Sequence, residues 1–283
     1  MKKNFGKRVS FVRPPGGLAT WGFVDAHYNV LGLETVIGTG YAFDVDLCSC
    51  RSAAVQGRLT AEMAAGKDSV ISIFHDGGPQ PIDLAIKARA FVDAMTEGLD
   101  RAERDAAAVV ITGREGVFSA GFDLKEIAKG AQERTELVNR GAAMLLRLFC
   151  FPQPLVVASA GHAIAAGALV LLAADTRLGA AGDFKYGLNE TAIGMSLPPF
   201  GMEMAKCRLS KRHQTQAILQ AQLYDPNTAQ EVGYLDQVVA AQELETQAIE
   251  QATALAELPS AAYAGTKLDV RRDYIDRIAA SLA

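Results

Sequence analysis

Residues 154–175, PLVVASAGHAIAAGALVLLAAD, decide the fold class of this chain. Residues 155–158 are a short apolar run, which is typical of a buried strand. A turn of small residues follows at 161–167, and the chain then continues to Ala174 as a predicted helix that is apolar on every side. Because a helix without a polar face belongs in a protein interior, this stretch predicts a buried strand–turn–helix unit.

The upstream sequence repeats the alternation of strand and helix. The pattern predicts strands at 70–74 and 109–111, and helices at 83–104 and 135–149. A loop at 115–121 and a short helix at 123–129 are expected between them. Strands that alternate with helices indicate an α/β fold, with a parallel sheet and right-handed crossover connections.

Composition restricts the classes of protein to consider. The chain has 283 residues and a net charge of −4, and 49% of its residues are hydrophobic. This acidic balance argues against a nucleic-acid partner. The four cysteines have neither metal-site nor disulfide spacing, so we expect reduced thiols and no metal. We find no apolar run of transmembrane length and no secretory signal, and therefore expect a cytoplasmic protein without a membrane partner.

Two segments, 118–123 and 161–167, share one design: a strand, a turn of small residues and a helix N-terminus. At such junctions backbone N–H groups lack acceptors within the helix and point at a ligand. Two of these groups that converge on one oxygen make an oxyanion hole. Many α/β proteins have turns of this kind, so the spacing alone does not single out that function.

Three motifs in order resemble the enoyl-CoA hydratase/isomerase (crotonase) superfamily. They are residues 117–126 (VFSAGFDLKE), residues 154–175, and residues 184–194 (FKYGLNETAIG). The resemblance implies an α/β fold, a crotonase-like ββα spiral core with a C-terminal helical oligomerisation region, and a homotrimer or homohexamer. It also implies an acyl-CoA thioester substrate, with coenzyme A as part of the substrate and no separate cofactor.

The same resemblance implies roles for single residues. The backbone N–H groups of Phe122 and Ala166 would bind the thioester oxygen, although relatives generally have glycine where Ala166 stands. Lys125 lies where relatives often have a basic residue that binds the CoA phosphates. The alternative interpretation is that Lys125 is a surface lysine without this role. The remaining implied substrate or CoA contacts are Ala120, Gly121, Asp123, Gly161 and Leu169. Asp123 is also interpreted as a helix N-terminal acid, and His162 as pocket lining.

Glu190 matches one of the two glutamates that hydratases of this superfamily use, and the other falls on Leu169. One carboxylate is sufficient to shift a double bond from the 3,4 to the 2,3 position, so we predict an enoyl-CoA isomerase. The alternatives are an enoyl-CoA hydratase and a non-catalytic CoA-binding or scaffold protein. An apolar pocket, expected from Ile193, Met195, Leu197 and Phe200, would raise the pKa of the catalytic Glu190.

The motifs divide the chain into three parts. Residues 1–66 form an atypical N-terminal extension, 67–225 an acyl-CoA-binding core, and 226–283 a helical region. Residues 1–62 have no recognisable counterpart in the superfamily, and Met63 would be a natural start. We therefore expect either a start assigned too far upstream or a real extension.

Overall fold

The computed structural model describes strands at 18–20, 59–62 and 70–75, and residues 84–113, 115–122 and 124–282. Seven strands form one sheet: β1 (Leu18–Thr20), β2 (Leu59–Glu62), β3 (Val70–His75), β4 (Ala108–Gly113), β6 (Leu155–Ser159), β8 (Thr176–Ala180) and β10 (Gln237–Val239), in that spatial order. β1, β2 and β3 pair antiparallel, and the pairs from β3 to β10 are parallel. The predicted parallel sheet is therefore confirmed.

A second, smaller sheet lies beside the first. It consists of three parallel strands in the order β5 (Gly116–Ser119), β7 (Gly161–Ile164) and β9 (Tyr186–Gly187). Each of them follows a strand of the large sheet directly along the chain, and a helical segment comes next. This strand–strand–helix unit occurs three times, and it makes the ββα spiral that the resemblance implied.

Eight α-helices complete the described chain: α1 (Leu84–Asp105), α2 (Leu124–Lys129), α3 (Ala131–Phe149), α4 (Ala166–Ala173), α5 (Pro199–Arg208), α6 (Pro226–Val232), α7 (Leu244–Ala256) and α8 (Ser260–Leu282). Single helical turns lie at Thr191–Ile193, Thr215–Leu219 and Ala241–Glu243. Every residue of α4 after Ala166 is buried, which confirms the prediction from its uniformly apolar sequence.

Two details of the sequence prediction were wrong. Residues 116–119 were expected in a loop and form β5, and residues 161–164 were expected in a turn and form β7. The two short segments pair with each other, a contact that the local pattern does not show. The C-terminal part is mostly helical, as expected, and it also contributes Gln237–Val239, which forms β10 against β8. Of the predicted N-terminal extension, β1 and β2 join the edge of the large sheet, and the rest lies outside the described residues.

Asp175, between α4 and β8, anchors the C-terminal helix to the core. Its carboxylate accepts hydrogen bonds from the backbone N–H of Leu155 and the hydroxyl of Tyr263, both at 2.9 Å. It also pairs with Lys267 at 2.6 Å and with Arg271 at 2.9 Å. Asp175 therefore satisfies the backbone N–H of Leu155, the first residue of β6.

A cavity of about 440 Å³ adjoins this cluster, and none of the predicted site residues lines it. The Lys267 ammonium donates to the carbonyls of Phe151 and Gln153, and Arg271 donates to those of Phe149 and Ala173. Lys267 and Arg271 thus donate hydrogen bonds to backbone carbonyls at or just after the ends of α3 and α4, so we assign the cluster a structural role. Among the described residues, no helix combines the length and apolar character that spanning a membrane requires.

Candidate active site

The three predicted site motifs follow the three strands of the small sheet. Phe122 comes after β5, Ala166 after β7 and Glu190 after β9. Because these strands are parallel neighbours, their carboxyl ends lie at one edge, where open α/β sheets bind ligands. The topology thus brings together residues that are 68 positions apart in the sequence, from Phe122 to Glu190.

Gly121 packs directly against the turn that begins α4. A methyl group built on Gly121 would lie 2.8 Å from the Cβ of Ala165 and 3.1 Å from the backbone nitrogen of Ala166. The φ of Gly121 is +92°, a backbone conformation that favours glycine. Only a residue without a side chain therefore fits this contact between the two turns.

Two further glycines hold the same turns together. A Cβ on Gly167 would lie 2.4 Å from the carbonyl oxygen of Ser119, and a Cβ on Gly161 would lie 2.2 Å from the carbonyl carbon of Gly116. The buried Gly161 is therefore explained by close approach of β7 to β5. A contact between Gly161 and substrate stays a prediction.

The N–H groups of Phe122 and Ala166 are placed to serve an external acceptor. Ala166 is the first residue of α4, where an N–H has no acceptor within the helix. Neither group donates a hydrogen bond to another described residue. The Phe122 ring packs on α3, where a Cβ on Gly141 would lie 2.3 Å from two of its carbons. This packing fixes the direction of the chain at Phe122.

Glu190 is presented by a short link from β9. The N–H of Ala165 donates to the carbonyl of Gly187 at 2.9 Å, so the turn before α4 is bonded to the strand that leads to Glu190. Glu190 is only 8% exposed, and its Oε2 is buried without a hydrogen-bond partner among the described residues. Burial raises the pKa of this carboxyl, and its own backbone N–H partly offsets the effect. A carboxyl with a raised pKa is suited to exchanging protons near neutral pH.

Leu169 lies in α4, one turn beyond Ala166, and is 2% exposed. Its Cδ1 approaches Gly201 of α5, where a Cβ would lie 3.2 Å away, and Leu197 packs on the same glycine. Phe200 is buried as the sequence indicated, but Ile193 is 43% exposed. A contribution of Ile193 to an apolar pocket stays a prediction.

The other predicted residues are less informative. Ala120 is exposed beside Gly121. His162 accepts a hydrogen bond at Nδ1 from the backbone N–H of Lys185, 2.9 Å away, which links β7 to the segment before β9. Asp123 and the side chain of Lys125 lie outside the described residues. Within the part of the chain that is described, no group of His, Cys, Asp and Glu has the arrangement of a metal site.

Sequence reasoning missed two features of this region. Ala165 has φ 54° and ψ −124°, a conformation that is strained for a residue with a Cβ. Tyr234 is fully buried after α6, and burial raises the pKa of its phenol. The sequence carried no signal for the first, since alanine is not a turn residue. The second depends on how the segment after α6 packs, which the local sequence does not show.

Comparisons with known proteins agree with this architecture. The family model described as enoyl-CoA hydratase/isomerase matches residues 85–283. A probable enoyl-CoA hydratase of Bacillus subtilis is 34% identical over 113 residues, which are 38% of this chain and 43% of that protein. The human mitochondrial enoyl-CoA delta isomerase 1 is 30% identical, over 78% of this chain and 73% of that protein.

Solved structures show the same fold. A Mycobacterium tuberculosis protein, described in one solved structure as an enoyl-CoA isomerase and in another as a probable enoyl-CoA hydratase, is similar in fold. The first of these structures superposes with a TM-score of 0.70 at 34% sequence identity, over 79% of this chain and 95% of that chain. The family match covers well over half of the present sequence, including all three strand–strand–helix units and the C-terminal helices. The chain therefore belongs to the enoyl-CoA hydratase/isomerase family.

Proposed function

We propose that this enzyme moves the double bond of a 3-enoyl-CoA thioester to the 2,3 position, with Glu190 as the proton carrier. The observation that carries the proposal is the environment of this carboxylate. It is 8% exposed, it has one unpartnered oxygen, and it follows the strand bonded to the turn of Ala165 and Ala166. A buried carboxylate at a sheet edge with two free backbone donors is suited to making and holding an enolate.

The reaction needs one base and one anion site. The Glu190 carboxylate removes a proton from C2, and the electron pair delocalises toward the thioester oxygen. The N–H groups of Phe122 and Ala166 stabilise that oxygen while it carries negative charge. The protonated Glu190 then returns the proton at C4, and the double bond comes to lie between C2 and C3. No atom is gained or lost, so no co-reactant is needed.

Leu169 supports isomerisation over hydration. Adding water across a double bond requires activation of the water and delivery of a proton, for which the superfamily's hydratases use two glutamates. Leu169 cannot exchange a proton, and its side chain packs against Gly201 of α5. Both isomerase and hydratase names occur among the relatives, so an assay has to separate these reactions.

The test compares 2-enoyl-CoA and 3-enoyl-CoA thioesters as substrates for the wild type, E190Q and a control variant, E231Q, at an exposed glutamate of α6. We expect isomerisation by the wild type, a loss on the order of 100- to 10,000-fold in E190Q, and no change in E231Q. Rapid hydration without isomerisation would show a hydratase instead. Equal turnover by E190Q and wild type would refute the role of Glu190, and the absence of turnover in both would point to the non-catalytic CoA-binding alternative.

We further propose that the enzyme works as a homotrimer or homohexamer in the cytoplasm, with Lys125 near the CoA phosphates. Support for self-association comes from two exposed apolar side chains that line the same cavity: Leu258 (47%), just before α8, and Val270 (73%), within it. Exposed apolar side chains that lie close together favour association. Light scattering of the purified protein tests this directly, and a monomer at micromolar concentration would contradict it.

A further inference from the structure

The strand that presents Glu190 is short. β9 is two residues long, and Glu190 follows it closely along the chain. Two backbone bonds join β7 to this segment: the N–H of Ala163 donates to the carbonyl of Lys185, and the N–H of Ala165 donates to that of Gly187, both at 2.9 Å. A strand of this length makes few ladder bonds, so each further contact contributes strongly to its position.

One bond between β7 and this segment uses a side chain in place of the backbone. Lys185 donates its backbone N–H to Nδ1 of His162, 2.9 Å away. Because the carbonyl of Lys185 accepts from Ala163, a regular parallel ladder would direct the Lys185 N–H to the carbonyl of Gly161. That carbonyl accepts instead from the hydroxyl of Ser159 at 2.8 Å. The imidazole of His162 therefore replaces a ladder carbonyl just before β9.

The His162 ring has a defined orientation. It is half-buried, and it meets the ring of Phe184 edge to face, with the centroids 5.7 Å apart and the planes at 90°. Phe184 is itself partly buried and packs against the hydrophobic core. Edge-to-face aromatic pairs are favourable beyond the area that they bury. This packing holds the imidazole where its Nδ1 faces the N–H of Lys185, the residue after Phe184.

The bond to Lys185 selects one proton arrangement of the imidazole. A ring nitrogen accepts a hydrogen bond only with a free lone pair, so Nδ1 carries no proton and the ring proton is on Nε2. In the other neutral tautomer, and in the doubly protonated ring, an Nδ1–H group would face the Lys185 N–H. Two donors would then oppose each other, and the bond would be lost. His162 thus holds the segment before β9 only as the neutral Nε2–H tautomer.

We propose that His162 is a positioning residue for Glu190: by accepting the Lys185 N–H, it holds β9 against β7 so that the carboxylate stays aligned with the substrate carbon. The inference rests on the proposed function, in which Glu190 transfers a proton. A displacement of about 1 Å costs such a step about 100-fold in rate. The backbone donors of Phe122 and Ala166 lie outside β9, so loss of the bond should lower kcat and leave KM nearly unchanged.

The variants H162N and H162L are a matched pair for testing this role. Both side chains branch at Cγ as histidine does, but only asparagine has an acceptor, Oδ1, where Nδ1 lies. H162L should lose on the order of 10- to 100-fold in kcat for 3-enoyl-CoA isomerisation, and H162N should retain most of it. Hydrogen exchange of the Lys185 amide should be about 5- to 10-fold faster in H162L and unchanged in H162N.

The proton on the imidazole is measured in the wild type. ¹⁵N NMR of the histidine side chains, at slightly alkaline pH where the rings are neutral, separates a nitrogen that carries a proton from one that does not. Both variants lack the His162 signals and so identify them. We expect Nδ1 of His162 without a proton and Nε2 with one.

A proton on Nδ1 of the neutral His162 ring would overturn the proposal, and this result needs no variant, so it is available even if H162L fails to fold. Equal losses of kcat in H162N and H162L would also overturn it, as would a wild-type kcat or a change in KM alone in H162L. If the wild type hydrates 2-enoyl-CoA instead, the proposed isomerisation is refuted, and the same comparison of kcat is made on hydration. A wild type that turns over no thioester would overturn both proposals.

Discussion

Ala165 donates its backbone N–H to the carbonyl oxygen of Gly187, 2.9 Å away, from a backbone conformation with φ 54° and ψ −124°. This bond ties the turn before α4 to β9, three residues before Glu190. The same residue accepts the first helical hydrogen bond of α4, from the N–H of Leu169 at 3.1 Å. Ala165 therefore has a strained backbone at the contact that links the N–H of Ala166 to the segment that carries Glu190.

The strain at Ala165 predicts that A165G stabilises the protein. A residue with a Cβ in this conformation costs about 1–3 kcal/mol, and glycine adds about 0.5–1 kcal/mol of chain entropy, so the net gain should be about 1 kcal/mol. Urea unfolding measures the free energy. The control A163G, in β7, has no strain to relieve and should be destabilising. If A165G lowers the free energy of unfolding as much as A163G does, the strain is not real.

Gly121 and Gly116 form a matched pair for testing the contact between the turns. Both have positive φ, +92° and +86°, but an added Cβ meets Ala165 and Ala166 only at Gly121, and meets nothing within 4 Å at Gly116. We expect G121A to lose on the order of 100-fold in isomerisation rate, because the two backbone donors separate. G116A should keep that rate and lose about 1 kcal/mol of stability. Equal rates in the two variants would contradict the arrangement.

The sequence predicted the parts of this site that depend on local pattern. The apolar run and the small-residue turn at 154–175 predicted β6 and α4, and motif resemblance selected Phe122, Ala166 and Glu190 as one set. The sequence pattern could not predict contacts between residues that are far apart along the chain. β5 is a strand because it pairs with β7, some 45 residues later, and Asp175 finds Lys267 and Arg271 more than 90 residues away. Neither partner is visible in the local sequence.

E190Q should be more stable than the wild type at neutral pH, although we expect it to lose activity. Burial raises the pKa of Glu190, so the folded state holds this proton more tightly than the unfolded state. Wild-type stability therefore falls as pH rises from below the unfolded pKa through the folded one, and the loss persists above it. Glutamine does not ionise, so E190Q lacks this pH-dependent loss of stability. The difference in stability between E190Q and the wild type should therefore vanish at acid pH.

Urea unfolding of both proteins across a pH series tests this prediction. E250Q, at an exposed glutamate of α7, is the control and should follow the wild type throughout. A constant difference between E190Q and the wild type at every pH would mean that ionisation of the buried carboxyl does not carry the cost.

D175N tests whether Asp175 holds α8 to the core. Its carboxylate faces Lys267 and Arg271, whose side chains are each 5% exposed, so the amide would leave two buried cations without a counter-charge. Loss of one partner from a buried ion pair costs about 3–5 kcal/mol, and a fall of that size is expected in urea unfolding. D183N changes a carboxylate that is 99% exposed and should cost less than about 0.5 kcal/mol. If D175N costs no more than D183N, the packing of α8 depends on its apolar contacts alone.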